Sequence, residues 1–283
     1  MNHTPGRPDA HQQLDLFGGE RLWGSPAAAT PGSEPPRPNP VGMDDASLLG
    51  AIPEASSKTC RDLALEAARR GLEPAIPALE TLCRRFKGFG SGHAIPEQEA
   101  ALHGLRAIGG RAAAQAVARL ITNQAVIGPG LVTAAEIAAH LGAQMPSAVV
   151  IALLRHLEPL VRASACRLAG SGTEETALLI DLLGDLHSPV AAAAACTLGR
   201  RGRIEARHIL VHLLGDSPSV EVIEAMAGVA DDDALVRLGQ LARARPDLAD
   251  AVLAALDDLD EPRAAVIAGS VRRLVSRKIG RVN

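Results

Sequence analysis

From about Asp44 onward, apolar residues recur at intervals of three and four and are interrupted every 12 to 15 residues by Gly, Pro or Asp-Ser. That spacing collects side chains on one face of a helix, and those residues are the usual punctuation at helix ends. The pattern predicts short antiparallel helices and an all-α chain. A longer period lies on top of it. EPLVRASACRLAGSG (158–172) aligns with SPVAAAAACTLGRRG (188–202) at an offset of thirty, placing Pro159 over Pro189, Ala165 over Ala195, Cys166 over Cys196, Leu168 over Leu198 and Gly172 over Gly202. TAAEIAAHLGA upstream is a looser copy, and ALLIDLLGD (177–185) echoes HILVHLLGD (208–216). A period of this size means that each helical pair leaves an apolar face for the next pair to cover.

Within the repeat, Pro sets the entry to a helix, Ala and Cys let it lie close to its neighbours, Leu fills the interface, and Gly ends the last turn. A turn with Asp or Ser and Pro, then Val-Arg, then A-x-x-L-G and Gly, resembles the HEAT and armadillo-like family over roughly residues 45 to 275. The resemblance implies a right-handed α-solenoid of antiparallel helix pairs, about six to seven of them, used as a binding surface for no particular ligand. Val161-Arg162 carries the family's Val-Arg pair but Ala191-Ala192 does not. A weak polar ladder between repeats is therefore expected.

The first 43 residues read differently. They hold eight of the nineteen prolines and little apolar periodicity, so they bury too little surface to offset the entropy of ordering. The expected organisation is a disordered arm over 1–43, a solenoid over 44–277 and a basic tail over 278–283. The arm nevertheless contains HQQLDLFGGERLWG (11–24), with Phe17 and the single Trp of the chain, Trp23. Gln13-Leu14-Asp15-Leu16-Phe17 matches at every position the pentapeptide Q-L-S/D-L-F and so resembles the bacterial proteins that bind the sliding clamp of the replicative DNA polymerase. The resemblance implies that Leu14, Leu16 and Phe17 enter an apolar pocket on the ring while Gln13 makes polar contacts at its rim. Large buried groups of this kind each contribute about 1.5–3 kcal/mol. The 26 residues between Phe17 and Asp44 span about 28 Å as a coil. Docking of Phe17 and Trp23 on the solenoid itself is the competing expectation.

Composition sharpens the fold. Hydrophobic content is 47% but aromatics are 1% and Tyr is absent, so the core is built from small aliphatic groups, which suits closely packed helices better than twisted strands. A net charge of −3 argues against a chain whose main business is coating nucleic acid. The N-terminus lacks an apolar run behind its single Arg, and no stretch reaches the roughly 18 apolar residues of a membrane span. A cytoplasmic protein is expected, with Cys60, Cys83, Cys166 and Cys196 as reduced core thiols, no cofactor and no metal.

Five further stretches carry candidate chemistry. RRFKGFGSGH (84–93) holds two Phe, three cations and three Gly between helices. As an RNA-recognition strand motif or a phosphate loop it fails, because no strand pattern surrounds it. It is expected to be an inter-helix loop whose Phe86 and Phe89 pack under the first repeats, with Arg84, Arg85, Lys87 and Phe89 as the residues of a binding loop in the alternative. His208 and His212 share a helix face without a third ligand. The acidic runs DDD (231–233) and DDLDE (257–261) are expected to cap helices. RRLVSRKIGR (272–281) has five cations and no acid; Arg272, Arg273, Arg277 and Lys278 are expected to blunt the open end of the solenoid, with DNA contact as a secondary role.

The function these readings favour is a non-enzymatic adaptor that holds a protein partner on the solenoid and is tethered to the sliding clamp by its arm. Two alternatives stand beside it: a chaperone- or lyase-like solenoid handling a tetrapyrrole or a protein client, and a HEAT-like DNA glycosylase. The latter is disfavoured by the lack of aromatic residues in the repeats.

Overall fold

The structure, a computed structural model, describes residues 39–279. Among them are fifteen α-helices joined by short turns and four 3-10 segments, with no strand. After α1 (Asp45–Ala51), the helices alternate between two rows. The first row is α2 (Cys60–Arg69), α4 (Pro96–Ile108), α6 (Pro129–His140), α8 (Pro159–Leu168), α10 (Ser188–Arg200), α12 (Val220–Gly228) and α14 (Ala249–Asp257). The second row is α3 (Ala75–Arg85), α5 (Gly110–Thr122), α7 (Ser147–Leu154), α9 (Thr173–Asp181), α11 (Arg207–Asp216), α13 (Asp232–Ala244) and α15 (Pro262–Ile279). Each first-row helix packs on the next along the whole unit, giving the all-α, solenoid-like fold that the repeat predicts. No described helix is long and apolar enough to cross a membrane.

The helix ends follow from local chemistry. Pro96, Pro129, Pro159, Pro189 and Pro262 open five of the helices, where the missing N–H costs nothing and the fixed φ is already helical. Asp44 caps α1 by accepting from the Ser47 amide at 2.7 Å. Asp231 caps α13 by accepting from Ala234 at 2.9 Å, the role expected for that acidic run. The helical unit begins at Asn39, ahead of Asp44. The cause is Arg70, whose guanidinium reaches back to the carbonyls of Pro40, Val41 and Met43 and to the Asp45 carboxylate. Likewise α15 runs on to Ile279, past the expected start of the tail.

The two rows pack differently. First-row interfaces are filled by Ala, Gly and Cys, so backbones come close; a Cβ built on Gly199 would stand 2.6 Å from the Ala225 carbonyl, and one on Gly228 would overlap the Gly199 carbonyl. In the second row, substantial contact is confined to α3 with α5, α7 with α9, and α13 with α15. Leu63, Leu79, Leu102, Leu120, Leu179 and Leu198 lie fully buried between the rows. The four cysteines are buried free thiols, and burial pushes Cys83 and Cys166 up to about 12 and Cys196 up to about 11. They are packing groups at neutral pH, not nucleophiles.

The α10–α12 crossing supplies a stability test. Gly228→Ala forces the two backbones apart and is expected to lower unfolding free energy by about 1–3 kcal/mol in denaturant titrations. Thr197, buried on the same helix α10, has a hydroxyl with no hydrogen-bond partner. Thr197→Val in the same titration is expected to leave stability unchanged or raise it, because the desolvated hydroxyl contributes nothing.

Candidate binding edge

Because the rows alternate, every turn from a second-row helix to the next first-row helix lies along one edge of the unit. That edge carries apolar side chains in the open. Leu157, between α7 and α8, is 95% exposed and Leu186, between α9 and α10, is 98% exposed; Leu160, on the first turn of α8, is also exposed. Phe89 occupies the corresponding turn between α3 and α4 and is 64% exposed.

The two leucine turns are held by one arginine. Arg162 donates from Nη1 to the carbonyls of His156 (2.8 Å) and Leu157 (2.9 Å). Its Nε and Nη2 grip the Asp185 carboxylate at 2.9 and 3.0 Å, and Asp185 also accepts from the His187 amide at 2.9 Å. Both partners are largely shielded from water. Burial on its own raises the pKa of Asp185, but the His187 amide and the Arg162 guanidinium outweigh it and hold the carboxyl below its ordinary value. The turns that precede α8 and α10 are thereby fixed to each other, and Leu157 and Leu186 are displayed from a rigid frame.

Arg162, of the Val161-Arg162 pair, thus forms a polar link between successive helix pairs, where a weak one was expected. At other junctions, where that position is not Arg, a guanidinium arrives from elsewhere. Arg85 donates to the Pro53 carbonyl at 2.6 Å and to Ala55; Arg201 donates to Gly170 at 2.8 Å and to Ala169. Arg207 donates to Val229 at 2.8 Å and pairs with Asp231 at 2.7 Å. Arg119 on α5 forms a two-pronged pair with Glu80 on α3, the Nη2 branch at 2.7 Å. The ladder is present with its rungs at varied positions.

The loop after α3 departs from expectation. Phe86 does pack against the core, half-buried, with the Arg85 guanidinium 4.8 Å above its ring. Phe89 does not: Gly88 and Gly90 adopt φ of +86° and +90° on either side of it, turning the backbone so that the ring faces water. Of the other residues in that group, Arg84 pairs with Glu80 at 2.6 Å, Arg85 is engaged by carbonyls, and Lys87 is exposed.

The remaining expected residues are scattered or lie elsewhere. Gln13, Leu14, Asp15, Leu16, Phe17 and Trp23 fall outside the described residues, as do the side chains of Arg277 and Lys278. Arg272 is engaged by Asp257 on α14, and Arg273 is exposed. His208 and His212 are exposed on α11 beside Ile204 and Val211, and among the described residues no three His, Cys, Asp or Glu side chains cluster as a metal site would require. Sequence reasoning missed Leu157, Leu186 and the Arg162–Asp185 clamp. The available signal was an apolar residue inside a turn, in RHLEP (155–159) and DLHSP (185–189), where the helical period does not ask for one.

No family model and no curated protein matches the chain. Among solved structures it is similar to the X-ray structure of YibA from Escherichia coli, at 15% identity, with 77% of this chain and 93% of that one covered and a TM-score of 0.44.

Arg162→Gln is expected to cost about 1.5–3 kcal/mol, read by denaturant unfolding at neutral pH. The Asp185 contribution is present above the ordinary carboxylate value of about 3.9 and is lost as pH falls through the lower folded value. The gap between wild type and variant therefore narrows on acidification. Leu186→Ser, by contrast, is expected to change stability by less than about 0.5 kcal/mol, since its side chain touches little but water.

Proposed function

We propose that this protein is a non-enzymatic adaptor, tethered to the bacterial DNA polymerase sliding clamp by Gln13–Phe17, with the solenoid presenting a protein partner at sites of DNA replication or repair in the cytoplasm. The observation that carries this reading is the complete match of QLDLF (13–17), placed ahead of the helical unit that begins at Asn39. The chemistry suits an extended peptide anchor. Three large apolar side chains within four residues supply several kcal/mol on burial, enough to offset the ordering of a short segment. Placing the anchor outside the repeats leaves the solenoid surface available to a second partner, and a tether raises the local concentration of one for the other. The exposed leucine edge supports the adaptor half of the reading, because large apolar side chains held in water at successive turns suit a protein-contact surface. Cations within residues 272–281 provide a secondary contact to phosphates of the duplex threaded by the ring.

A peptide spanning residues 9–22 is expected to bind the purified ring in fluorescence anisotropy. In the full-length protein, Gln13→Ala combined with Phe17→Ala is expected to abolish capture by immobilised ring, Phe17→Ala alone weakening it at least about tenfold through lost burial. Undiminished capture of the double variant overturns the assignment.

A further inference from the structure

We infer that the Phe86–His93 loop is a docking point for a single strand of nucleic acid, one base stacking on Phe89 and the neighbouring phosphates meeting Lys87 and Arg84. Three observations lead there. The ring of Phe89 stands 64% exposed in a chain with only three phenylalanines, while the core takes Phe86 a short step away.

The frame around it is fixed on both sides. The Phe89 amide donates to the Phe86 carbonyl at 3.1 Å, and Gln98 Nε2, buried between helices, ties that same carbonyl at 3.3 Å and the Ala125 carbonyl at 3.0 Å. Beyond the ring, Gly90 is buried against Ile95, and the Gly90 and Ser91 carbonyls lie against Gly128 at the head of α6. A ring presented this way has little entropy left to lose when a partner covers it.

Charge leans positive. Residues 81–96 include Arg84, Arg85 and Lys87 and no acid, with the Glu54 carboxylate 3.7 Å from Arg85 and Glu97 and Glu99 following on α4. The carboxylate at Glu80 is shared by Arg84 and Arg119, so two cations face one anion, and Lys87 is exposed without a salt bridge among the described residues. A flat aromatic face beside excess positive charge is complementary to a base followed by phosphates. A duplex does not fit, because its bases are already stacked on one another. An acidic peptide matches the charge but leaves the ring without a planar partner.

This assignment does not rest on the clamp reading, and its test contains no ring. Full-length protein is titrated at low salt into fluorescein-labelled single strands of about 12 nucleotides, oligo-dT and oligo-U in separate arms. Both strands are expected to bind, the tighter arm identifying the natural source, with a blunt duplex of the same length weaker. Phe89→Ala is expected to weaken binding about 5- to 100-fold, the usual effect of removing one stacking platform. Lys87→Gln is expected to weaken it and to reduce the slope of log K against log salt by about 0.7, one phosphate contact on a single strand. Phe89→Trp is expected to retain binding and to gain an emission component that the strand quenches. These side chains are exposed, so unfolding temperatures are expected to match wild type and a loss of binding reads on the surface alone. Absence of wild-type binding, equal affinity for duplex, undiminished binding by Phe89→Ala, or displacement by an oligoglutamate peptide as effective as displacement by strand would each overturn the proposal.

Discussion

The described structure depends on how closely one helix of the first row approaches the next. Between α10 and α12 the distance is set by Gly199 and Gly228, at other crossings by Ala64 with Gly104 or by the alanines of α8 and α10. Small residues give up side-chain burial, and a lone helix pair built from them has almost no core. They recover it by dispersion contact between backbones at short range, summed over many atoms, and only when the neighbouring pair is present. This explains a 1% aromatic content in a chain that still folds: large rings would hold the helices too far apart.

Close helix packing brings turns of successive pairs within reach of one another, and arginine uses that proximity. Its planar fork satisfies several acceptors at once: Arg70, Arg85, Arg162 and Arg201 each take more than one carbonyl across a junction, and Arg207 takes the Val229 carbonyl together with the Asp231 carboxylate. The carbonyls at helix ends are orphans of the helix itself, so a guanidinium placed there stabilises two elements with one group. Where Asp185 completes the network, the turn becomes rigid enough to hold leucine in water without letting it fold back onto the core. An apolar side chain kept outside by backbone hydrogen bonding is the opposite of a loosely packed one, although both measure as exposed.

Much of this architecture was legible in the sequence, and the reason is periodicity. The thirty-residue offset, the prolines at 159 and 189 and the Ala-Cys-Leu-Gly run define α8 to α11 almost without ambiguity, since the same local chemistry had to be met twice. What periodicity does not encode stayed hidden. Phe89 was assigned to the core because apolar residues in loops usually end there, and only the paired positive φ values of Gly88 and Gly90 decide otherwise. The rungs of the ladder were underestimated for a related reason: a guanidinium on a long flexible stem reaches the same carbonyls from several helical positions, so the contact persists while its residue number does not. The string QLDLF at 13–17 lies outside the described residues, and no property of the fold reads on it.

The distribution of large apolar groups separates two ways of being available for binding. On the clamp-binding reading proposed above, Leu14, Leu16 and Phe17 enter a cavity that the partner supplies, and a short segment bound that way loses affinity per unit area to its own ordering. Leu157, Leu186 and Phe89 are already ordered by Arg162, Asp185 and Gln98, so a partner need only displace water. On that reading the two kinds of group vary independently: substitutions at 13–17 would alter recognition alone, whereas altering the edge geometry requires changing the clamps that also hold the repeats together. That coupling places a firmer constraint on Arg162 and Asp185 than on the leucines they display.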